Sequence, residues 1–108
     1  MGQYHAAYNI DKKEVIDAHS IGNGAKLMEQ VGFENCTASA IFLLLANSNG
    51  RGGGDARKHP MVGRWAGDRI VIQGDYAEAK DKAFIPDLSL YTDISSDVKN
   101  LLNHTFQE

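Results

Sequence analysis

The chain has 108 residues, 43% of them apolar and 23% charged, and carries a net charge of −3. These values suit one domain over residues 1–108 with a single core and exclude a multidomain enzyme. The longest apolar run, Ala40 to Ala46, falls far short of the roughly 20 residues of a membrane span, no basic-then-apolar leader follows Met1, and the single cysteine, Cys36, forms no internal disulfide, so a cytoplasmic setting without membrane contact is expected.

Gln3 to Ile10 reads as a strand, with Tyr4, Ala6, Tyr8 and Ile10 on one face and Gln3, His5, Ala7 and Asn9 on the other. Asp11-Lys12-Lys13 is a polar turn, and Glu14 to Asp17 returns as a second strand. Gly22-Asn23-Gly24 breaks the chain, and Lys26 to Gln30 fits either a helical turn or a short strand. Thr37 to Ser48 predicts a helix, with Asn35 or Thr37 as cap and Asn49-Gly50 as stop. Its middle, Ile41 to Leu45, has no polar face, which predicts a buried central element. Arg69 to Gln73 is a β-branched strand between two Gly-Asp pairs, and Leu88 to Thr92 is a further candidate strand. Ser95 or Ser96 caps a final helix with Val98, Leu101, Leu102 and Phe106 along one side. The expected class is α+β: a small, mostly antiparallel sheet packed on one buried helix, with a C-terminal helix.

Charge is concentrated rather than spread. Between Arg51 and Arg69 lie five cationic and two acidic residues, a local charge of +3, which leaves −6 on the remainder. An acidic body with one basic segment draws an anion to one place and repels an extended polyanion, so long nucleic acid is not an expected partner. Six of the eleven glycines fall between Gly50 and Gly67. In Gly50-Arg51-Gly52-Gly53-Gly54-Asp55 the backbone N–H groups are open to an anion, Arg51, Arg57 and Arg64 add bidentate donors, and Trp65 offers a stacking face. Neither the P-loop nor the dinucleotide fingerprint is present, because a helix precedes this segment and a strand follows it. A long permissive crossover and a protein-contact loop are the competing readings of the same glycines.

Motifs for chemistry are sparse. Cys36, ahead of the apolar helix, is a candidate nucleophile if His5, His19, His59 or His104 approaches it. Asp55 with His59, and Asp68 with Asp75, are the available carboxylate groupings for a metal, but no zinc spacing occurs and no Gly-x-Ser-x-Gly is present. Neither a metal nor a cofactor is expected, and the balance leans away from an enzyme.

Several segments occur together: Met1-Gly2-Gln3-Tyr4, then Asn23-Gly24-Ala25-Lys26-Leu27-Met28-Glu29, and Gly74-Asp75-Tyr76-Ala77 after a strand. In this the chain resembles a group of small uncharacterised phage and bacterial proteins that open with Met-Gly-Gln-Tyr and carry Asn-Gly-x-Lys-Leu-Met-Glu and Gly-Asp-Tyr-Ala segments. Gln30 stands where that pattern has a histidine. The resemblance implies a counter-defence setting and draws attention to Lys26, Asp75 and Tyr76 as parts of a polar pocket.

Taken together, the residues point to a non-enzymatic binding module that captures a small phosphate-bearing ligand such as a nucleotide signal. Its expected site residues are Lys26, Arg51, Arg57, Arg64, Trp65, Arg69, Asp75 and Tyr76. The alternatives are a protein inhibitor that binds a host defence protein directly and a cysteine-dependent hydrolase using Cys36. A homodimer is a common arrangement for so small a protein.

Overall fold

Alternation near the N-terminus becomes strand β1 (His5–Asn9), which turns back through residues 10–13 into β2 (Glu14–Ile16). The computed structural model describes residues 3–21, 24–31, 36–47 and 58–106. The hairpin turn is held by Asn9, whose Oδ1 accepts the Lys12 N–H at 2.7 Å, and Lys13 closes it in the left-handed region with φ 58°. Helix α1 (Thr37–Leu45) follows, then β3 (Ile70–Gly74), β4 (Thr92–Asp93) and α2 (Ser95–Phe106). The sheet order is β3-β1-β2-β4, with β1 antiparallel to both β2 and β3, and β2 parallel to β4. This is the expected small α+β fold with a mostly antiparallel sheet and a C-terminal helix.

Both helices contribute to one core with the sheet. Ala7 and Ile16 from the strands meet Ala40 and Leu44 of α1 and Val98, Leu101 and Leu102 of α2. The inward side of β1 is therefore the His5-Ala7-Asn9 side. Asn9 is buried there because its Nδ2 donates to Asp68 at 2.9 Å, so its polar group is satisfied. On α2, Val98, Leu101 and Leu102 follow helical spacing into the core. Ser95 is the first helical residue rather than the cap: its hydroxyl accepts the Asp17 N–H at 2.8 Å, while Asp93 accepts the Ser95 N–H at 2.8 Å.

The structure corrects the reading of the apolar helix. α1 ends at Leu45 and buries only one side, through Thr37, Ala40 and Leu44, leaving Phe42 82% exposed. Its C-terminal carbonyls are satisfied by the turn at residues 61–67, since Gly63 N–H donates to Leu43 O at 3.0 Å and Trp65 N–H to Leu44 O at 2.9 Å. The expected cap at Asn35 lies outside the described residues, and the N-cap is Cys36, whose side chain makes no capping bond.

The other side of the sheet is covered by residues 75–91. Gln73 there imitates a strand neighbour: its side chain donates to Ile85 O at 3.1 Å and accepts the Ile85 N–H at 2.7 Å. Tyr8 meets Tyr91 edge-on at 5.5 Å. The candidate strand at Leu88–Thr92 resolves into a 3₁₀ turn, Leu88–Leu90, followed by the two residues of β4. Lys26 to Gln30 takes both of its readings: Lys26 bridges to Tyr4 as a strand would, and Leu27–Gln30 is a 3₁₀ turn. Among the described residues no helix is long and apolar enough to cross a membrane.

Candidate functional site

The outer side of α1 faces Ile70 and Ile72 of β3 across a cleft of about 660 Å³. Ala38, Ile41, Phe42 and Leu45 form the helix wall, and Leu27 and Val31 close one end. The strand wall arises because residues 70 and 72 alternate toward the helices while Val71 and Gln73 point to the other side. The helix wall arises because a helix apolar all round, packed through one stripe, keeps its remaining apolar surface outward. Met28, 73% exposed, stands on the same 3₁₀ turn as Leu27.

Two polar residues interrupt this wall. Gln30 is buried, and its Nε2 donates to His5 O and to Ala25 O, both at 2.9 Å, which fixes the orientation of the amide. Thr37, at the first position of α1, is 2% exposed, and its hydroxyl has no hydrogen-bond partner. Among the described residues no Lys, Arg, Asp or Glu lines the cleft.

The sequence-predicted site residues fall into two groups at opposite ends of β1, about 14 Å apart at the usual rise per strand residue. At the Asn9 end, Arg64 donates through Nε to both Glu14 oxygens, at 3.1 and 3.2 Å, and through Nη2 to Oε2. Trp65 is fully buried and donates Nε1–H to Glu14 Oε1 at 2.8 Å, so no stacking face is offered to a ligand. Arg69 is held by Asp11, through Nε at 3.1 Å and Nη2 at 2.9 Å. Each of these three residues meets a partner within the chain. Burial opposes the charged form of Glu14, yet the hydrogen bonds from Arg64 and Trp65 outweigh it and lower the carboxyl from its ordinary value. The Arg69 hydrogen bonds likewise lower Asp11, and those of Lys12 and Asn9 lower Asp68.

Lys26, Asp75 and Tyr76 do come together, around Gln3 and Tyr4. Lys26 bridges to Tyr4, Asp75 Oδ1 accepts the Tyr4 N–H at 3.0 Å, and Gln3 Oε1 accepts the Tyr76 N–H at 3.3 Å. Asp75 lines a second cavity of about 400 Å³ together with Tyr4, Tyr8, Asp17 and Asp93. Three carboxylates in one cavity repel a phosphate rather than receive it. Burial is the first cause of the raised Tyr8 phenol, with Asp17 and Asp75 adding to it. Arg51 and Arg57 lie outside the described residues.

Cys36 is 2% exposed, with Sγ 3.3 Å from Ser39 Oγ. His19 meets Tyr4 edge-on at 5.2 Å, and His59 faces His104 at 5.0 Å while bonding Asn100 at 3.0 Å. Of the carboxylates considered for a metal, Asp68 is held by Asn9 and Lys12, and Asp75 accepts from Tyr4. Among the described residues no group of three or more His, Cys, Asp or Glu gathers to hold a metal ion. The cleft residues Thr37 and Phe42 are not legible as a wall in the sequence, because all-round apolarity does not say which side of a helix is covered. Their signal is an excess: more apolar positions on Thr37–Leu45 than one buried stripe uses. No protein-family model matches the chain, and neither does any curated protein or solved structure.

Proposed function

We propose that the chain is a non-enzymatic binding module whose receptor is the α1–β3 cleft and whose ligand is small and mostly apolar. The observation that carries this reading is the cleft itself, about 660 Å³ and walled almost entirely by apolar side chains. Its size falls within the roughly 300–1,000 Å³ of small-molecule sites, and its wall has their usual character. Support also comes from the arginines: Arg64 and Arg69 are neutralised internally, which weakens the attraction for a phosphate-bearing ligand. The resemblance to small phage and bacterial proteins adds a setting, counter-defence in the host cytosol.

The test is titration with the neutral dye Nile red alongside thermal shifts with nucleotides and cyclic nucleotides. The reading expects saturable one-to-one dye binding that is insensitive to salt and weakened at least about tenfold by Ile72→Glu, which brings a charge into an apolar wall. A salt-sensitive stabilisation by a nucleotide, with dye binding indifferent to Ile72→Glu, overturns it in favour of the phosphate ligand.

A second reading, direct capture of a host defence protein, is favoured by the high exposure of Phe42 and Met28. Aromatic residues and methionine are enriched at protein interfaces. Phe42→Ala then abolishes a one-to-one complex with that protein in analytical ultracentrifugation.

A further inference from the structure

We infer that the ligand of the α1–β3 cleft carries a neutral carboxamide at one end of an apolar body, with the amide held by Thr37 and Gln30. This rests on the proposed function of the cleft and adds the chemistry of its polar end.

Three observations lead there. First, the Thr37 hydroxyl is buried and unpartnered, although buried polar groups are normally satisfied because leaving one unpaired is costly. A threonine in a helix has two accessible χ1 rotamers, and the second carries the hydroxyl to the place Cγ2 holds while Cγ2 moves to that of the β-hydrogen. Second, α1 has nine residues, and its first backbone bond is Ala40 N–H to Cys36 O at 3.1 Å. Among the described residues nothing accepts from the N–H groups of Thr37, Ala38 or Ser39, and Thr37 and Ala38 both belong to the cleft wall. The first turn of α1, beside the cleft, therefore carries donors that want an acceptor. Third, both Nε2 protons of Gln30 are committed to His5 O and Ala25 O, so what its amide has left is the acceptor Oε1.

A ligand group that suits both residues must accept at Thr37 and donate at Gln30. A carboxamide does both at once, through its C=O and its N–H. A carboxylate meets Gln30 Oε1 with a second acceptor, and among the described residues no Lys or Arg lines the cleft to offset its burial. A group with neither function leaves the Thr37 hydroxyl unpaired.

Calorimetry with octanamide, N,N-dimethyloctanamide and octanoate on the full chain tests this, with Nile red as the reference. Octanamide is expected to bind about tenfold tighter than either relative, since each lacks one hydrogen bond. Thr37→Val is expected to weaken octanamide about five- to tenfold and to leave the melting temperature equal or higher. Thr37→Ser retains the preference. Equal binding of the three compounds, tighter octanoate, or a preference that survives Thr37→Val overturns the carboxamide assignment while dye binding upholds the cleft. Failure of all three compounds and of Nile red to bind overturns the cleft reading as well.

Discussion

The indole Nε1 of Trp65 donates to Oε1 of Glu14 at 2.8 Å, with the tryptophan fully buried and the glutamate nearly so. Arg64 reaches the same carboxylate from the solvent side, so two consecutive residues grip one carboxylate from its wet and dry flanks. They are placed to do so because the turn that carries them is fastened to the C-terminal carbonyls of α1. The clamp thus joins β2 to the end of α1. A positive charge that reads in the sequence as a ligand group is used to hold a helix against a sheet.

This clamp sets an acid dependence. The Glu14 carboxyl is lowered from an ordinary value of 4.5 in the folded chain, so its contribution is complete above that pH and is lost as pH falls through the lower folded value. Melting temperature followed from pH 7 downward is expected to fall below about pH 4.5. Glu14→Gln melts lower at neutral pH and shows a shallower acid slope. The slope persists in part, because Asp11 and Asp68 are shifted in the same direction.

Removing either donor costs stability and not merely binding. Trp65→Phe takes one hydrogen bond from a buried carboxylate and is expected to cost about 1–2 kcal/mol in urea denaturation. Arg64→Met is expected to cost about 1–3 kcal/mol, nearer the lower figure because its guanidinium is partly solvated. Arg69→Met, at an exposed pair, changes unfolding little.

The two sides of α1 are expected to respond oppositely to truncation. Leu44 is wholly buried in the core, so Leu44→Ala costs about 2–5 kcal/mol. Phe42→Ser, on the exposed side, leaves unfolding within about 0.5 kcal/mol of the parent. Chemical denaturation of the two variants side by side checks this directly, and equal losses would place the helix inside the core on both sides.

Gly63 adopts φ +85°, and a Cβ there would lie 2.9 Å from the Ala46 carbonyl oxygen. Gly63→Ala is therefore expected to cost about 1–2 kcal/mol for the left-handed backbone, with the close contact adding to it. The loss appears in urea denaturation together with an increase in acrylamide quenching of Trp65, because the displaced turn is the one that buries the chain's single tryptophan.

Local pattern alone was enough for the alternation of residues 3–10, the hairpin into Glu14, the β-branched strand near Ile70 and the one-sided spacing of Val98, Leu101 and Leu102 in the last helix. Each depends on the repeat of a single element, and that repeat is written in consecutive residues. Tertiary structure decided the rest. Asn9 is tolerated in the interior because Asp68, 59 positions away, accepts its amide, and Arg64 clamps the fold because Glu14, 50 positions away, receives it. The outer side of α1 became a cleft because nothing in the described chain covers it, and whether an apolar surface is buried depends on what packs against it, which no periodicity within the helix records.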